Sequence, residues 1–330
     1  MDSPKIALFH PVTVGACTVA GNVWLAPMAG YTDAAFRSVC IRFGAALCFA
    51  EMVSADGLAR GNGTTLRLLA KAPNETLVGF QIFTSSPTLA ALAVRRIAPL
   101  GPALIDLNCG CSVPKVLKAN CGAILLRTPA LVGSLVSAMT AETDIPISVK
   151  LRSGWDASSL TYLECAEAAV KAGASLVTLH PRTRAQGFSG AAQWDHVRTL
   201  KKSCPVPVFG SGDLFTAQQC AARLSATNCD GIMIARGCLG NPFIFSQAKA
   251  LLSGGAAEPR IDANERLATA MDHLYMLAKA VGEAKACRDM RKHFVAYTKG
   301  LDGGALLRQS VVHAGSIVEY EEIVESYLRE

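Results

Sequence analysis

Eight short apolar runs recur at nearly even spacing through the first three quarters of the chain. They are Val23–Ala26, Leu47–Ala50, Val78–Gln81, Leu104–Leu107, Ile147–Lys150, Leu176–Leu179, Val206–Phe209 and Gly231–Ile234. None alternates with polar residues, so none has a face to spare for water; strands of this kind belong to parallel sheets covered on both sides. The segments between them carry helical apolar periodicity, as in "LTYLECAEAAVKAGA" and "TAQQCAARLSATNC", the latter preceded by the N-cap residue Thr216. Eight strand–helix units are the number that closes an α/β (β/α)8 TIM barrel, with an open doubly wound sheet as the alternative.

Past Leu252 the pattern changes. "SGGAAEPRID" reads as a linker, and the remainder has helical signals only: about Asn264–Val281, about Glu283–Lys299, and a last pair from Gly303 to Glu330. The expected organisation is a catalytic barrel over residues 1–252 and a small all-helical domain over 253–330. The second tail helix holds Lys285, Arg288, Arg291, Lys292, His293 and Lys299 against Glu283 and Asp289. It predicts a basic face that would suit a polyanion, or a solvated surface of no special role.

Composition narrows the field. With 51% apolar and 18% charged residues the chain builds a large core, which excludes wholesale disorder. No apolar run is long enough to span a membrane, and "MDSPKIALFHPVTVG" lacks the pattern of a secretory leader, so a cytoplasmic protein is expected. The net charge of +6 permits a polyanionic partner without requiring one. Twelve cysteines are scattered, with no CxxC pair and no zinc-type clustering, so reduced core thiols and no metal are expected. Oligomeric state is not legible; a monomer is the default.

A barrel of this kind builds its site at the C-terminal ends of its strands. Those ends read "APMAGYTD", "AEM", "FQIF", "DLNCGC", "VKLRSGW", "LHPRTR", "FGSGD" and "IARGCLGNP". Gly210, Gly212, Ala235 and Gly237 would let backbone N–H groups approach a phosphate at the seventh and eighth loops, with Arg236 adding charge. Lys150 ends an apolar strand and would need an anionic partner. Gln81 and Asn108 each offer donor and acceptor to a heterocycle's amide edge. His180 is the one histidine at a predicted strand end, where a core role is the plain alternative. The longest interval between runs holds "DLNCGCSVPK", whose Cys109 and Cys111 are too close for a relaxed disulfide.

The motifs "APMAGYTDAAFR", "DLNCGCSVPKV", "VKLRSGWD", "LHPRTRAQGFSGAAQWD", "GSGD" and "ARGCLGNPFIF" stand in the order and spacing of the flavin-dependent tRNA-dihydrouridine synthases. The chain resembles that family over nearly its whole length, most of all the bacterial B-type branch, and "AKACRDMRKHFVAYTKG" resembles its basic RNA-binding helix. The resemblance implies an FMN site from Pro27, Met28, Ala29, Gln81, Asn108, Lys150, His180, Ser211, Gly212, Asp213, Ala235 and Arg236. It implies Cys111 as catalytic acid, with Cys109 structural, and tRNA contacts from Lys115, Arg182, Arg184, Lys285, Arg288, Arg291 and Lys292. It further implies that NADPH reduces FMN and that a uridine is turned out of its stack. Hydride then reaches C6 of that uridine while the Cys111 thiol protonates C5. One departure stands out: Ser112, Val113 and Pro114 come after Cys111 where the family has proline next. The rival is an FMN-dependent dehydrogenase of a free pyrimidine, of dihydroorotate type, which would have no use for the basic tail.

Overall fold

The structure, a computed structural model, describes residues 8–256 and 261–329. The first seven residues, within the stretch read as lacking a leader, and residues 257–260 of the expected linker lie outside the described residues, as does the last residue. The barrel strands are β1 (Val23–Leu25), β2 (Cys48–Phe49), β3 (Val78–Phe83), β4 (Leu104–Cys109), β5 (Ile147–Gly154), β6 (Leu176–Thr183), β7 (Val208–Ser211) and β8 (Gly231–Ile234). All neighbours pair in parallel and in chain order, and β8 returns to β1, so the sheet closes into a TIM barrel. A two-residue strand, Val53–Ser54, adds to the end of β3. β7 begins at Val208 rather than Val206, because Pro205 and Pro207 have no N–H to give the ladder.

The outer layer holds α1 (Ala34–Arg42), α2 (Pro87–Ile97), α3 (Pro129–Thr140), α4 (Tyr162–Lys171), α5 (Trp194–Ser203), α6 (Ala217–Thr227) and α7 (Ile244–Leu252). Thr216 caps α6 as expected: its hydroxyl accepts from Gln219 N–H at 3.1 Å and the Gln219 side chain accepts from Thr216 N–H at 3.1 Å.

Strand alternation sorts the chemistry. Outward residues such as Ile105, Leu107, Cys109, Val149 and Leu151 join the core under the helices. The inward set grades from apolar to charged along the barrel axis. At the bottom Trp24, Phe49, Leu104, Leu176 and Phe209 pack together, with the Trp24 and Phe209 rings 4.1 Å apart. A hairpin of Val12–Val14 and Cys17–Val19 lies over this end and contributes Val12, Val14 and Val19 to the same cluster. Fully burying side chains of this size stabilises by roughly 1.5–3 kcal/mol each.

The tail is α8 (Ala263–Val281), α9 (Glu283–Tyr297), α10 (Gly304–His313) and α11 (Ile317–Arg329), around a core that includes Leu274, Met290, Phe294 and Tyr320. Ala35 of α1 belongs to that core, and Arg42 reaches Asp272 at 2.6 Å, so the tail is docked on the barrel's first helix. The loop after β8 presses close as well. Gly240 has φ +67°, and a Cβ there would fall 2.1 Å from the Ala296 carbonyl carbon, so only glycine admits α9.

Candidate active site

The top of the barrel opens into a pocket of about 440 Å³. Its wall contains Pro27, Met28 and Ala29 after β1, Gln81 on β3, Asn108 and Cys111 at the end of β4, and Lys150 on β5. It also contains His180 on β6, Ser211, Gly212 and Asp213 at the end of β7, and Ala235 and Arg236 after β8. Apart from Gly210, the residues expected to be catalytic or to hold a cofactor are therefore brought to one cavity.

Beneath the pocket lies a polar chain that motif reading missed. The buried Asp106 carboxylate accepts from Gln81 Nε2 at 2.7 Å and from the Ser148 hydroxyl at 2.6 Å. Asn108 Nδ2 donates to Gln81 Oε1 at 2.8 Å, and Asn108 Oδ1 accepts from the N–H groups of Gly110 and Cys111 at 3.1 and 2.9 Å. The chain thus runs from a buried carboxylate to the backbone of the cysteine loop. Asp106 was legible through the period of two, since it shares its strand face with Asn108. Burial raises its carboxyl to about 6, with Ser148, Gln81 and Lys150 opposing.

Lys150 sits in register between Asn108 and Thr178. Burial lowers its ammonium to about 8, Asp106 partly restores it, and Arg152 lowers it further. None of the hydrogen bonds among the described residues uses that ammonium, and the buried Thr178 hydroxyl beside it is also without a partner there. His180 is held well below the usual imidazole range by burial first and then by Lys150, Arg152, Arg182 and Arg236. Its Nε2 lies 3.3 Å from Arg182 Nη1; arginine can only donate, so the neutral ring carries its proton on Nδ1.

Arg152, two residues past Lys150 on the same face, was also missed. It is buried and donates to the Gly110 carbonyl at 2.8 Å, and to the Thr183 and Gly187 carbonyls at 3.0 and 2.7 Å. It therefore ties the cysteine loop to the loop after β6. Cys111 is anchored again by its own carbonyl, which accepts from Ala123 N–H at 2.9 Å. Gly122 makes that approach possible: its φ is +69°, and a Cβ would stand 2.6 Å from the Cys111 oxygen. Burial raises the Cys111 thiol, against Val113 N–H and Arg152, so it stays protonated. Ser112 and Val113 keep the loop open to solvent, and Pro114 begins the helix Pro114–Lys118. Cys109 points the other way, fully buried among the outer helices beside Cys165.

Several expectations are corrected. Arg182 is not on an RNA-facing rim: it is 2% exposed and spends its guanidinium on both oxygens of Asp213 at 2.8 and 2.7 Å and on Gly190 O at 2.6 Å. Gly210 is not an anion cradle, since a Cβ there would lie 2.2 Å from the Trp194 ring; its role is packing. The second tail helix keeps a basic face, with Lys285, Arg288 and Lys292 exposed at a spacing that shares one side of the helix, but two of its expected members lie elsewhere. His293 is fully buried, Arg291 is half-buried with Nη2 donating to the Ala314 carbonyl at 3.2 Å, and Lys285 pairs with Asp289. Arg288 and Lys292 remain exposed, as does Lys115, while Arg184 is half-buried over the Trp155 ring at 4.5 Å. Lys292 extends over Tyr31, a pocket residue, at 5.5 Å. At the mouth the exposed Phe188 is flanked by Arg236 at 4.3 Å and Arg152 at 5.4 Å.

The family model described as dihydrouridine synthase (Dus) matches residues 24–330, from the first barrel strand through the tail. The chain belongs to the dihydrouridine synthase family. A probable tRNA-dihydrouridine synthase of Treponema pallidum is 42% identical, with 96% of both chains covered. A tRNA-dihydrouridine synthase B of Pasteurella multocida is 32% identical, with 90% of each covered. Among solved structures, histamine dehydrogenase from a Rhizobium species aligns with a TM-score of 0.56 at 17% identity, covering 82% of this chain and 51% of that one. A 2-naphthoyl-CoA reductase aligns at 0.59 and 12%, covering 76% and 52%. This chain spans about half of those enzymes, and the likeness is one of barrel fold. As a dihydrouridine synthase, the protein is a flavin-dependent oxidoreductase, and the pocket is its candidate active site.

Proposed function

We propose that this protein reduces the C5=C6 bond of particular uridines in tRNA, with FMN in the barrel-top pocket, NADPH as electron donor and Cys111 as proton donor. One observation carries the reading: in a dihydrouridine synthase barrel, a thiol held protonated by burial faces the pocket on a loop fixed by Asn108, Arg152 and Ala123.

The pocket suits the cofactor. Gly212 has φ +123°, which turns its backbone toward the pocket where no Cβ fits beside His180, and Ser211, Ala235 and Arg236 adjoin it. These residues would hold the phosphate, while Lys150, Gln81, Asn108 and the His180 Nδ1–H would meet the polar atoms of the ring. When bound, the flavin supplies the hydride. The protein's part is to exclude water, orient the uracil with amide and imidazole donors, and move the Cys111 proton to C5. A thiol suits that step because its pKa, raised here, leaves it protonated at neutral pH.

The target base must leave its stack to reach the pocket. Lys292 and Arg288 on the tail, with Lys115 and Arg184 on the barrel, would hold phosphates around the mouth, giving affinity that falls steeply with salt. The tail over residues 253–330 is thus read as the tRNA-binding unit, and residues 1–252 as the catalytic one. No helix among the described residues is long and apolar enough to cross a membrane. The proposed setting is the cytoplasm, and one chain supplies every residue invoked.

Dihydrouridine mapping of tRNA from cells with and without the gene tests the reading. The expected result is loss at a defined position, restored by the wild-type gene and not by Cys111→Ala. An unchanged map, or NADPH-driven turnover of free pyrimidines only, overturns it, and the latter outcome selects the dihydroorotate-type alternative.

A further inference from the structure

At the joint between barrel and tail, three ligand-type side chains from three elements meet, two of them fully out of water and one half-buried. They are Asp33, the N-cap of α1, His273 of α8 and His293 of α9. One donor atom from each lies within 4.8 Å of the other two. Both histidines are fully buried, and none of their four ring nitrogens has a hydrogen-bond partner among the described residues. Protein interiors leave few polar atoms unpaired, so two such imidazoles side by side call for an occupant.

The surroundings offer no protein substitute. The His273 and His293 rings meet edge to face at 4.6 Å, and Phe36 packs on them at 5.5 and 5.1 Å. Tyr31 closes the His293 side at 5.4 Å, edge-on, and the Tyr297 hydroxyl in the same joint is itself buried without a partner. Asp33 does not exhaust its carboxylate on the helix: one oxygen accepts from Phe36 N–H at 3.0 Å, and a carboxylate has a second to offer.

We propose that Asp33, His273 and His293 bind one divalent transition-metal ion of the zinc class, stapling the tail to the barrel. Two imidazoles and a carboxylate are the donor set of such ions, whereas calcium and magnesium take oxygen ligands. Tetrahedral bonds of 2.0–2.1 Å would place donor atoms roughly 3.3 Å apart, so donors now within 4.8 Å of one another would draw together by up to about 1.5 Å on binding. The three ligands come from both sides of the joint, so the ion would fix the tail's angle to the barrel, and with it the position of Lys292 above Tyr31. The zinc motifs sought in the sequence place their ligands close together; here Asp33 is separated from the histidines by almost the whole barrel.

The test uses full-length protein stripped with a chelator and titrated with Zn2+ against a chromophoric competitor, with Co2+ as a spectroscopic probe. One equivalent per chain and a Tm that rises on Zn2+ addition are expected. Asp33→Asn retains the helix cap, since asparagine caps as well as aspartate. That variant and His273→Gln should each weaken Zn2+ by about 100-fold, the upper end of what even an outer-shell change costs, and abolish the Tm rise. All twelve cysteines are present in both variants, so zinc held by thiols would persist. Equal zinc binding by wild type and variants, or no stoichiometric zinc in the wild type, overturns the proposal. If the variants fail to fold, the wild-type cobalt spectrum decides. Weak visible bands without thiolate charge transfer support the site; a thiolate band or no cobalt spectrum refutes it.

Discussion

Replacing Asp106 with asparagine should move the titration of Lys150 while leaving the pocket's hydrogen bonds intact. The Asn oxygen can take the Gln81 N–H, and its amide can donate to the Ser148 hydroxyl, which turns to accept. What disappears is a charge. Asp106 is registered opposite Ser148, and Lys150 lies two residues further along β5, which sets the two groups about 8 Å apart from strand spacing and rise. At an effective dielectric of about 20 that separation is worth about 2 kcal/mol, enough to take the Lys150 ammonium from about 8 to roughly 6.5. At pH 7.5 the charged fraction would fall from about three quarters to about a tenth. An ammonium that helps to hold an anionic cofactor does so below its pKa and stops as pH rises through it. Wild-type affinity for FMN, read by flavin fluorescence, should therefore fall between pH 7 and 9. In Asp106→Asn it should be weak and flat across that window, and Lys150→Met should be flat as well. A variant that keeps the wild-type fall at the same midpoint would refute the link between Asp106 and Lys150.

Other outcomes rest on named contacts. Cys111→Ala should retain flavin and NADPH oxidation but form no dihydrouridine by nucleoside analysis, whereas Cys109→Ala should cost about 1 kcal/mol in denaturant unfolding and leave turnover intact. Gly122→Ala should destabilise by about 1–2 kcal/mol from its left-handed backbone alone and depress kcat more than flavin affinity, because its Cβ displaces the Cys111 carbonyl. Arg37→Leu should cost about 3–5 kcal/mol, since it strands the buried Glu75, and the lost bond to the Thr32 carbonyl should loosen the Pro27–Tyr31 loop and weaken flavin binding. Arg288→Glu with Lys292→Glu should weaken tRNA binding and flatten its salt dependence while flavin reduction by NADPH is unchanged; Arg291 is left out because it is tied to Ala314.

Apolar runs made the barrel legible, because a strand buried on both faces has little compositional freedom. The pocket residues were legible for a related reason: in this architecture a polar residue ending an apolar strand can face almost nowhere else. Asp106 and Arg152 escaped a reading confined to strand ends, although each shares a face with a residue that was noticed. Arg182 was misplaced because a basic residue after a strand reads as surface, and only the fold brings Asp213 beneath it. The tail's exposed basic stripe was legible, but its inner side was not: α9 buries one face against the barrel, and His293 lies on that face. Arg37 and Glu75, both fully buried and far apart in sequence, left no local signal at all.

The hairpin over residues 12–19 and the aromatic plug above it shut the barrel from below. A cavity sealed at one end has a single doorway, and whatever enters must back out before the next visitor arrives. In the reaction proposed above, the electron donor and the tRNA would reach the same pocket through that doorway, so they would have to use it in turn. The ordering of half-reactions would thus be a property of the masonry at the far end of the barrel, some distance from any group that reacts.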